Sequence, residues 1–460
     1  MKIFIIVGTR PEYIKLAPIY LEFQSLNKLA ENKDAENAEI GVRQQCPRII
    51  PEIKWVHTNQ HDKLILSDLI EFWGIQPDYE FSLVNQGLSL AELAAKLLTE
   101  ADFLFRREKP DLVIVQGDTL SAVQAALAAF YNHIRVAHVE AGLRTVNPRS
   151  PFPEELSRRV ISQIADYHFC PSEKVYQRLI QEKRNGDRSV LRVHEDHEAS
   201  ENAEIGVSLH AHNIFNTGNT GIDALFKAQS IINSKDFEFK NFTILEQGSR
   251  KEFKLDKKYI LITSHRRENI NNGFQEALCE SILQILKEKS ERNFKNELIS
   301  NAEIGVSLDA QEMLEFVVCL HSNPQARENF LKLSEKLLSM NISGLHLLES
   351  VTYCEFIQLM QNAFFIITDS GGVQEEAAYL NKYTLVMREE AEREEYLEQG
   401  LSERLSPDSK SIKLAIESLI SRSMNNSQAE VRPQLHSLFY GNGDAAEKIV
   451  KYLIHVTLFN

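Results

Sequence analysis

Short apolar runs alternate with segments of helical periodicity along almost the whole chain, and this alternation constrains the fold more than any other feature. In the first half, buried strands are predicted at residues 3–7, 53–57, 112–116 and 136–139, and helices at 13–26, 91–107 and 121–131. Strands that alternate with helices are typical of βαβ units, in which helices cover a parallel sheet. The first half is therefore predicted to be a doubly wound α/β domain.

The same alternation starts again in the second half of the chain. Strands are predicted there at residues 259–263, 345–348, 364–368 and 384–387, and helices at 353–361 and 374–380. A chain of 460 residues is too long for one ordinary core, which also favours two domains. We predict two Rossmann-like domains with a changeover near residue 215. Ligands of such sheets bind at the carboxyl ends of the strands, so functional residues are expected directly after strands.

The composition argues against several classes of protein. Hydrophobic residues make up 43% of the chain, and no apolar run approaches the roughly 20 residues that span a bilayer. The net charge of −14 argues against a nucleic-acid-binding surface. The five cysteines are scattered and lack the spacing of a metal site. We therefore predict a cytoplasmic protein with no membrane or nucleic-acid partner and no bound metal.

The hexapeptide Asn-Ala-Glu-Ile-Gly-Val occurs three times, at residues 37–42, 202–207 and 301–306. The unequal spacings argue against a solenoid or propeller repeat. Each copy lies in a charged, polar stretch between predicted core elements. We interpret the three stretches as segments inserted in surface loops, where insertions cost little stability.

A candidate anion-binding turn, Gly-Thr-Arg-Pro-Glu at residues 8–12, follows the first predicted strand and leads into a helix. Backbone N–H groups at such a turn can bind a phosphate, and Arg10 and Lys15 add positive charge. An ion pair between Arg10 and Glu12 is an equal alternative.

Three carboxylates follow neighbouring strands of the first half. Asp118 comes after the strand at 112–116, Glu140 after the strand at 136–139, and Glu154 in the following Ser-Pro-Phe-Pro-Glu-Glu segment. Carboxylates clustered on one rim of a sheet supply acid and base groups. The alternatives are a helix N-cap for Asp118 and ordinary ion pairs for the glutamates.

Two motifs of the second half suit a diphosphate. The segment Ser-His-Arg-Arg-Glu-Asn places His265 and the arginine pair 266–267 after a strand. The Thr-Asp-Ser-Gly-Gly turn at 368–372 leads from a strand into a helix, whose N-terminus favours an anion. Glu375 or Glu376, one helical turn later, can accept ribose hydroxyls. An ordinary strand-to-helix turn is the alternative for the second motif.

Several cofactor and nucleotide motifs are absent from the sequence. It contains no GxGxxG fingerprint, no GxxxxGK[ST] phosphate loop and no GxSxG elbow. A bound NAD is therefore not supported, and we predict no cofactor.

Eight motifs resemble those of the non-hydrolysing UDP-N-acetylglucosamine 2-epimerases and occur in the same order. They are GTRPEYIK, QGDT, HVEAGLRT, SPFPEE, TGNTGIDAL, SHRREN, TDSGGVQEEA and YGNGDAA. The resemblance covers nearly the whole chain outside the inserted segments. It implies the GT-B fold, in which two Rossmann-like domains flank a cleft and a C-terminal helix returns to the first domain. We accordingly expect domains at 1–215 and 216–435, with residues 436–460 returning to the first.

The resemblance also implies an activity, namely reversible interconversion of UDP-N-acetylglucosamine and UDP-N-acetylmannosamine for envelope polysaccharide synthesis. UDP is eliminated to leave 2-acetamidoglucal and is then added back, without a cofactor, by an enzyme expected to be a homodimer. Matching positions imply catalytic roles for Asp118, Glu140, Glu154 and His265. They imply substrate-binding roles for Arg10, Lys15, Arg266, Arg267, His321, Ser370, Gly371, Gly372 and Glu376.

One segment departs from the family pattern. The family's Arg-Asp-Thr-Thr-Glu-Arg-Pro-Glu loop reads Arg-Glu-Glu-Ala-Glu-Arg-Glu-Glu at residues 388–395. The added negative charge predicts weaker UDP-sugar binding or a looser loop. The alternatives left open are a 2-epimerase of a related UDP-diacetamido-uronate or deoxyhexose, a GT-B glycosyltransferase, and a non-catalytic UDP-sugar-binding protein.

Overall fold

The chain divides into two compact units, one formed by residues 1–227 with 439–460 and the other by residues 228–438. The computed structural model describes residues 1–40, 51–61, 63–83, 87–145, 147, 149, 151–191, 213–234, 242–246, 249–253, 258–264, 269, 272–300, 315–320, 324–349, 351–388, 394–425 and 439–458.

A seven-stranded sheet of parallel strands forms the centre of the first unit, in the order β3-β2-β1-β4-β5-β6-β7. Its strands are β1 (Lys2–Val7), β2 (Glu52–His57), β3 (Tyr79–Glu80), β4 (Leu112–Gln116), β5 (Arg135–Val139), β6 (Tyr167–Cys170) and β7 (Ile214–Asn216). The helices that begin within residues 1–227 of this unit are α1 (Arg10–Ile40), α2 (Lys63–Trp73), α3 (Leu90–Glu108), α4 (Leu120–Tyr131), α5 (Glu154–Ile164), α6 (Glu173–Leu191) and α7 (Thr220–Ile232).

The central strands are buried on both faces, which explains their nearly continuous apolar sequences. On one face, Phe4 and Val113 belong to a core cluster with Phe105 of α3 and Ala126 of α4. The small side chains of α4 allow α3 and α4 to pack closely over the sheet. This packing fixes the strand ends from which the candidate site residues project.

The second unit is built on an eight-stranded mixed sheet in the order β15-β14-β13-β10-β11-β12-β8-β9. Its strands are β8 (Phe242–Glu246), β9 (Ser249–Phe253), β10 (Tyr259–Thr263), β11 (Glu315–Cys319), β12 (Leu345–Leu348), β13 (Ile366–Thr368), β14 (Thr384–Val386) and β15 (Ser402–Arg404). Neighbouring strands from β15 to β12 in this sheet order, which includes β10 and β11, are parallel. Strand β8 runs antiparallel to both of its neighbours, β12 and β9. Its helices are α8 (Phe274–Ser300), α9 (Pro324–Ser339), α10 (Tyr353–Asn362), α11 (Gly371–Tyr379), α12 (Glu394–Glu398) and α13 (Ser409–Asn425).

The last helix, α14 (Ala445–Leu458), packs against α1 of the first unit. The Tyr452 ring stacks on Phe215 of β7 with a centroid separation of 4.3 Å. Asp223 accepts hydrogen bonds from the backbone N–H groups of Ala445 and Ala446, and so caps the start of α14. These contacts hold the end of the chain on the first unit.

The predicted strands are confirmed to within a few residues, but the loop interpretation of the first hexapeptide copy is wrong. Helix α1 does not end near residue 26 but continues to Ile40, so residues 37–40 are helical. The second and third copies lie outside the described residues. Among the helices that the structure describes, none combines the length and apolar character needed to cross a membrane.

Candidate active site

Turns that follow β1, β4 and β5 lie side by side at one edge of the first sheet. The three strands are adjacent and parallel, so their carboxyl ends meet at the same edge. The turns carry Arg10, Asp118 and Glu140, three of the candidate residues. The sheet thus brings together motifs that are far apart in sequence.

Arg10 does not pair with Glu12, so the alternative of an Arg10–Glu12 ion pair is wrong. Its guanidinium instead pairs with Asp68 of α2, with Nη1–Oδ1 and Nη2–Oδ2 distances of 2.5 and 2.8 Å. The prediction that backbone N–H groups of this turn face a phosphate is also wrong for Gly8 and Thr9. Both donate to Oε2 of the buried Glu12, at 2.9 and 2.7 Å.

Glu140 is held by a lysine of the first helix. Its Oε2 lies 2.6 Å from Lys15 Nζ and also accepts a hydrogen bond from the Gln116 side chain. The φ angle of Glu140 is 63°, a left-handed conformation that is uncommon outside glycine. The Lys15 and Glu140 side chains are only 13% and 7% exposed, so solvent screens their attraction weakly.

Asp118 is paired with an arginine of α5 and does not cap α4. The Arg158 Nε donates to Asp118 Oδ2 at 3.1 Å, and a second Arg158 nitrogen contacts the same oxygen. Thr119 is the N-cap of α4, since its side chain accepts from the Ala122 N–H. The N-cap alternative for Asp118 is therefore wrong.

Glu154 is the first residue of α5 and is half-buried. It lies four residues before Arg158, and residues at this spacing share one face of a helix. Because Arg158 reaches Asp118, the helical face that carries Glu154 is turned toward the Asp118 turn. A negative group in the first turn is also favoured by the helix dipole.

His138, for which no role was predicted, connects β5 to the Asp118 turn by a hydrogen bond. Its Nε2 lies 2.7 Å from the Gly117 carbonyl oxygen. Burial lowers the pKa of His138 to about 4, so the ring is neutral and donates to that carbonyl. The only signal in the sequence was its position in a strand, two residues before Glu140, where a histidine is more often an ordinary core residue.

In the second unit, the turn at residues 368–372 has the geometry expected of a strand-to-helix turn. Ser370 is the N-cap of α11, and Gly371 is the first residue of that helix. A side chain added at Gly372 meets nothing within 4 Å, so the backbone there is open to an approaching group. The first-turn N–H groups of a helix point outward and favour an anion.

The fully buried Asp369 anchors this turn. Its carboxylate accepts from Asn269 Nδ2 at 3.0 Å and from Ser264 Oγ at 3.3 Å. Its backbone carbonyl accepts from Arg388 Nε at 2.6 Å. Asp369 and Asn269 lie inside predicted motifs, but no role was predicted for either residue.

Glu376 lies on α11 and is half-buried, and it accepts a hydrogen bond from the Tyr353 hydroxyl at 3.0 Å. Other candidates fall outside the described residues, namely His265, Arg266, Arg267, His321 and the altered-loop residues 389–393. Within the described part of the chain, no group of three His, Cys, Asp or Glu side chains is arranged to hold a metal ion.

The model of the family described as UDP-N-acetylglucosamine 2-epimerase matches residues 48–299 and 291–454. The chain belongs to this family. A UDP-N-acetylglucosamine 2-epimerase of Campylobacter jejuni is 34% identical over 454 residues, which cover 98% of this chain and 97% of the relative. The enzyme of the same name from Bacillus subtilis is 31% identical over 455 residues, 99% of this chain and 95% of the relative.

Solved structures of this epimerase family share the fold. The UDP-GlcNAc 2-epimerase from Neisseria meningitidis, crystallised with UDP-GlcNAc, is 29% identical with a TM-score of 0.73, covering 99% of this chain and 100% of that chain. The Methanocaldococcus jannaschii enzyme, crystallised with UDP-GlcNAc and UDP, is 27% identical with a TM-score of 0.66 and the same coverage. The predicted class of two Rossmann-like domains in a GT-B fold is therefore confirmed.

Proposed function

We propose that this epimerase-family protein reversibly inverts carbon 2 of UDP-N-acetylglucosamine to give UDP-N-acetylmannosamine. The observation that carries the proposal is the meeting of the Lys15–Glu140 and Arg158–Asp118 pairs at the carboxyl edge of one parallel sheet. Relatives named for this activity, and a relative crystallised with UDP-GlcNAc, support the choice of substrate.

The proposed reaction explains why carboxylates are needed. The proton on carbon 2 is not next to a carbonyl, so its direct removal is difficult. When the bond from carbon 1 to the UDP oxygen breaks, positive character at carbon 1 acidifies that proton. One carboxylate takes the proton, the electron pair forms the double bond of 2-acetamidoglucal, and UDP leaves with the electrons of the broken bond. Return of a proton to the opposite face, with attack of UDP on carbon 1, completes the inversion.

Asp118, Glu140 and Glu154 are the proposed acid and base groups beside the sugar, together with His265. Arg10 and Lys15 are proposed to offset the charge that develops on the leaving diphosphate. The Ser370–Gly372 turn at the start of α11 is proposed to bind that diphosphate, and Glu376 to bind the ribose. Arg266, Arg267 and His321 keep their predicted substrate-binding roles.

The reaction in heavy water tests this function. With UDP-N-acetylglucosamine as substrate, we expect UDP-N-acetylmannosamine that carries deuterium at carbon 2, because the removed proton exchanges before a proton returns. Proton NMR of the purified product measures both the epimerisation and the exchange. Product that keeps its original proton contradicts the elimination route. Epimerisation of another UDP-sugar, without epimerisation of UDP-N-acetylglucosamine, contradicts the proposed substrate.

We also propose that the enzyme acts as a homodimer through an aromatic surface on α3 and α4, formed by Phe103, Phe130 and Tyr131. All three side chains are more than half exposed. The Phe130 and Tyr131 rings lie 6.2 Å apart, and α3 is joined to α4 beside them by the hydrogen bond from the Asn132 side chain to Asp102 at 2.8 Å. An exposed aromatic patch of this kind is typical of a surface that another protein covers.

Light scattering after gel filtration tests the dimer. We expect the wild-type protein to have twice the chain mass, and the double variant Phe103→Asp with Tyr131→Asp to have the mass of one chain. Leu414→Asp is the matched control, because Leu414 is 65% exposed on the second unit and Phe103 is 63% exposed. A monomeric wild type, or a double variant that stays dimeric, contradicts the proposal.

A further inference from the structure

Glu12 is a fully buried carboxylate at the start of α1 to which the proposed reaction gives no role. One oxygen accepts from the backbone N–H groups of Gly8 and Thr9, at 2.9 and 2.7 Å. The other accepts from the Thr119 hydroxyl at 2.5 Å. A buried carboxylate is costly unless its oxygens are hydrogen-bonded, and here both are.

The donors come from two different turns of the candidate site. Gly8 and Thr9 follow β1 and immediately precede Arg10, whereas Thr119 follows β4 and immediately succeeds Asp118. A single side chain therefore connects the backbone beside Arg10 to the residue beside Asp118. We propose that Glu12 is a positioning residue that sets the Arg10 turn against the Asp118 turn for the reaction, an inference that rests on the proposed function.

The turn after β1 is also closely packed around Gly8, so its backbone has little freedom to move. A Cβ atom added at Gly8 would collide with the side-chain oxygens of Ser121 and Thr58. These two hydroxyl groups are themselves hydrogen-bonded at 2.7 Å. The turn after β1 is thus pressed against the start of α4, and Glu12 joins the same two elements through Thr119. Loss of the Glu12 bridge removes the side chain that joins the turn after β1 directly to Thr119.

The hydrogen-bond pattern predicts which replacements keep the bridge. Glutamine has the reach of glutamate, its oxygen accepts from both N–H groups, and its amide donates to Thr119 Oγ1. That hydroxyl oxygen already accepts from the Ala122 N–H and has a second lone pair available. Aspartate keeps the charge but is one methylene shorter, so it cannot span both turns. Alanine removes the bridge.

Protonation of Glu12 gives the same donor pattern as glutamine. Burial raises the pKa of Glu12 to about 7, so the neutral carboxyl is accessible near neutral pH. A bridge that accepts the neutral carboxyl is therefore expected to accept the uncharged amide of the Glu12→Gln variant as well. The bridge between the two turns therefore depends on the side-chain length at position 12 and not on its charge.

Steady-state kinetics of Glu12→Asp, Glu12→Ala and Glu12→Gln tests the proposal. For the aspartate and alanine variants we expect kcat to fall about 100-fold, since a shift of about 1 Å in a catalytic group has a cost of this size. KM for UDP-N-acetylglucosamine should change much less, and Glu12→Gln should restore kcat to within about tenfold of wild type. The matched control is Glu315→Gln, which alters a buried carboxylate paired with His346 at the amino end of β11, and it should keep wild-type kcat.

Wild-type kcat in Glu12→Ala, or a glutamine variant as slow as the alanine variant, overturns the positioning role. A wild-type protein that epimerises nothing contradicts the proposed function instead. In that case the bridge is still tested by urea unfolding of Glu12→Asp, Thr119→Val and the double variant. We expect the double variant to lose less free energy of unfolding than the two single variants lose in sum, because each single change already removes the same hydrogen bond. Additive losses show that no bridge exists.

Discussion

Replacing Glu140 by glutamine is expected to lower kcat about 1,000-fold, within the range that one acid or base group contributes. Glutamine has nearly the same shape, so the fold should persist. The change removes the negative charge that faces Lys15 Nζ at 2.6 Å and hence the proposed proton acceptor at this position. Initial rates of UDP-N-acetylmannosamine formation, together with circular dichroism to verify folding, measure the effect.

The matched control for this change is Glu182→Gln. Glu182 is also an acid paired with a basic residue, Arg144, but its side chain is 42% exposed and belongs to the middle of α6 rather than to a turn after a strand. We expect wild-type kcat in this variant, because the proposed reaction gives Glu182 no role and solvent reaches its carboxylate. Turnover by Glu140→Gln at the wild-type rate removes Glu140 from the chemistry, whereas equal losses in both variants point to a general loss of stability.

The eight strands that were predicted could be found because each is a short apolar run that crosses a buried sheet; they are β1, β2, β4, β5, β10, β12, β13 and β14. The prediction for β4, residues 112–116, matches the observed strand at both ends. The extension of α1 beyond residue 26 was not predictable from hydrophobic periodicity, since residues 27–40 carry almost no apolar face. They also contain no glycine or proline, and chains of alanine, glutamate and lysine continue a helix once it has started.

The hairpin of β8 and β9 was missed for a related reason. The sequence of β9 is Ser-Arg-Lys-Glu-Phe, which contains no apolar run and no alternation that indicates a half-buried strand. Strand β9 lies at the edge of the sheet and pairs with β8. Its strand conformation therefore depends on the hydrogen bonds to β8 and not on a pattern in its own sequence.

The positions of the candidate site residues were predictable, but their partners were not. Lys15 and Glu140 are 125 residues apart, and Arg10 and Asp68 are 58 apart, so only the order of strands and helices brings them together. One error was avoidable. Arg10 and Glu12 are two positions apart at the start of a helix, where such neighbours do not share a face.

Arg158 is the residue whose loss we expect to destabilise the first unit most. Its side chain is 5% exposed and lies between Asp118 and the fully buried Glu155. Replacement by methionine keeps most of the side-chain length but removes the positive charge that faces Asp118, and it leaves the buried Glu155 with the half-exposed Arg159 as its charged partner. We expect a loss of about 3 kcal/mol in the free energy of unfolding, typical of breaking a buried pair from one side. We also expect a large fall in kcat, because Asp118 loses the group that orients it.

Tryptophan fluorescence during urea unfolding measures this loss in the correct unit. The chain has two tryptophans, Trp55 and Trp73, and both belong to the first unit. Arg159→Met is the matched control, since Arg159 pairs with the same Glu155 at 2.6 Å but is 45% exposed. We expect Arg159→Met to lower the free energy of unfolding by less than about 1 kcal/mol, because solvent screens the exposed charge and replaces it in part. If the two variants lose equal free energy of unfolding, the burial of Arg158 does not determine its contribution to stability. The ion pairs of Arg158 with Asp118 and Glu155 then do not stabilise the site as their geometry indicates.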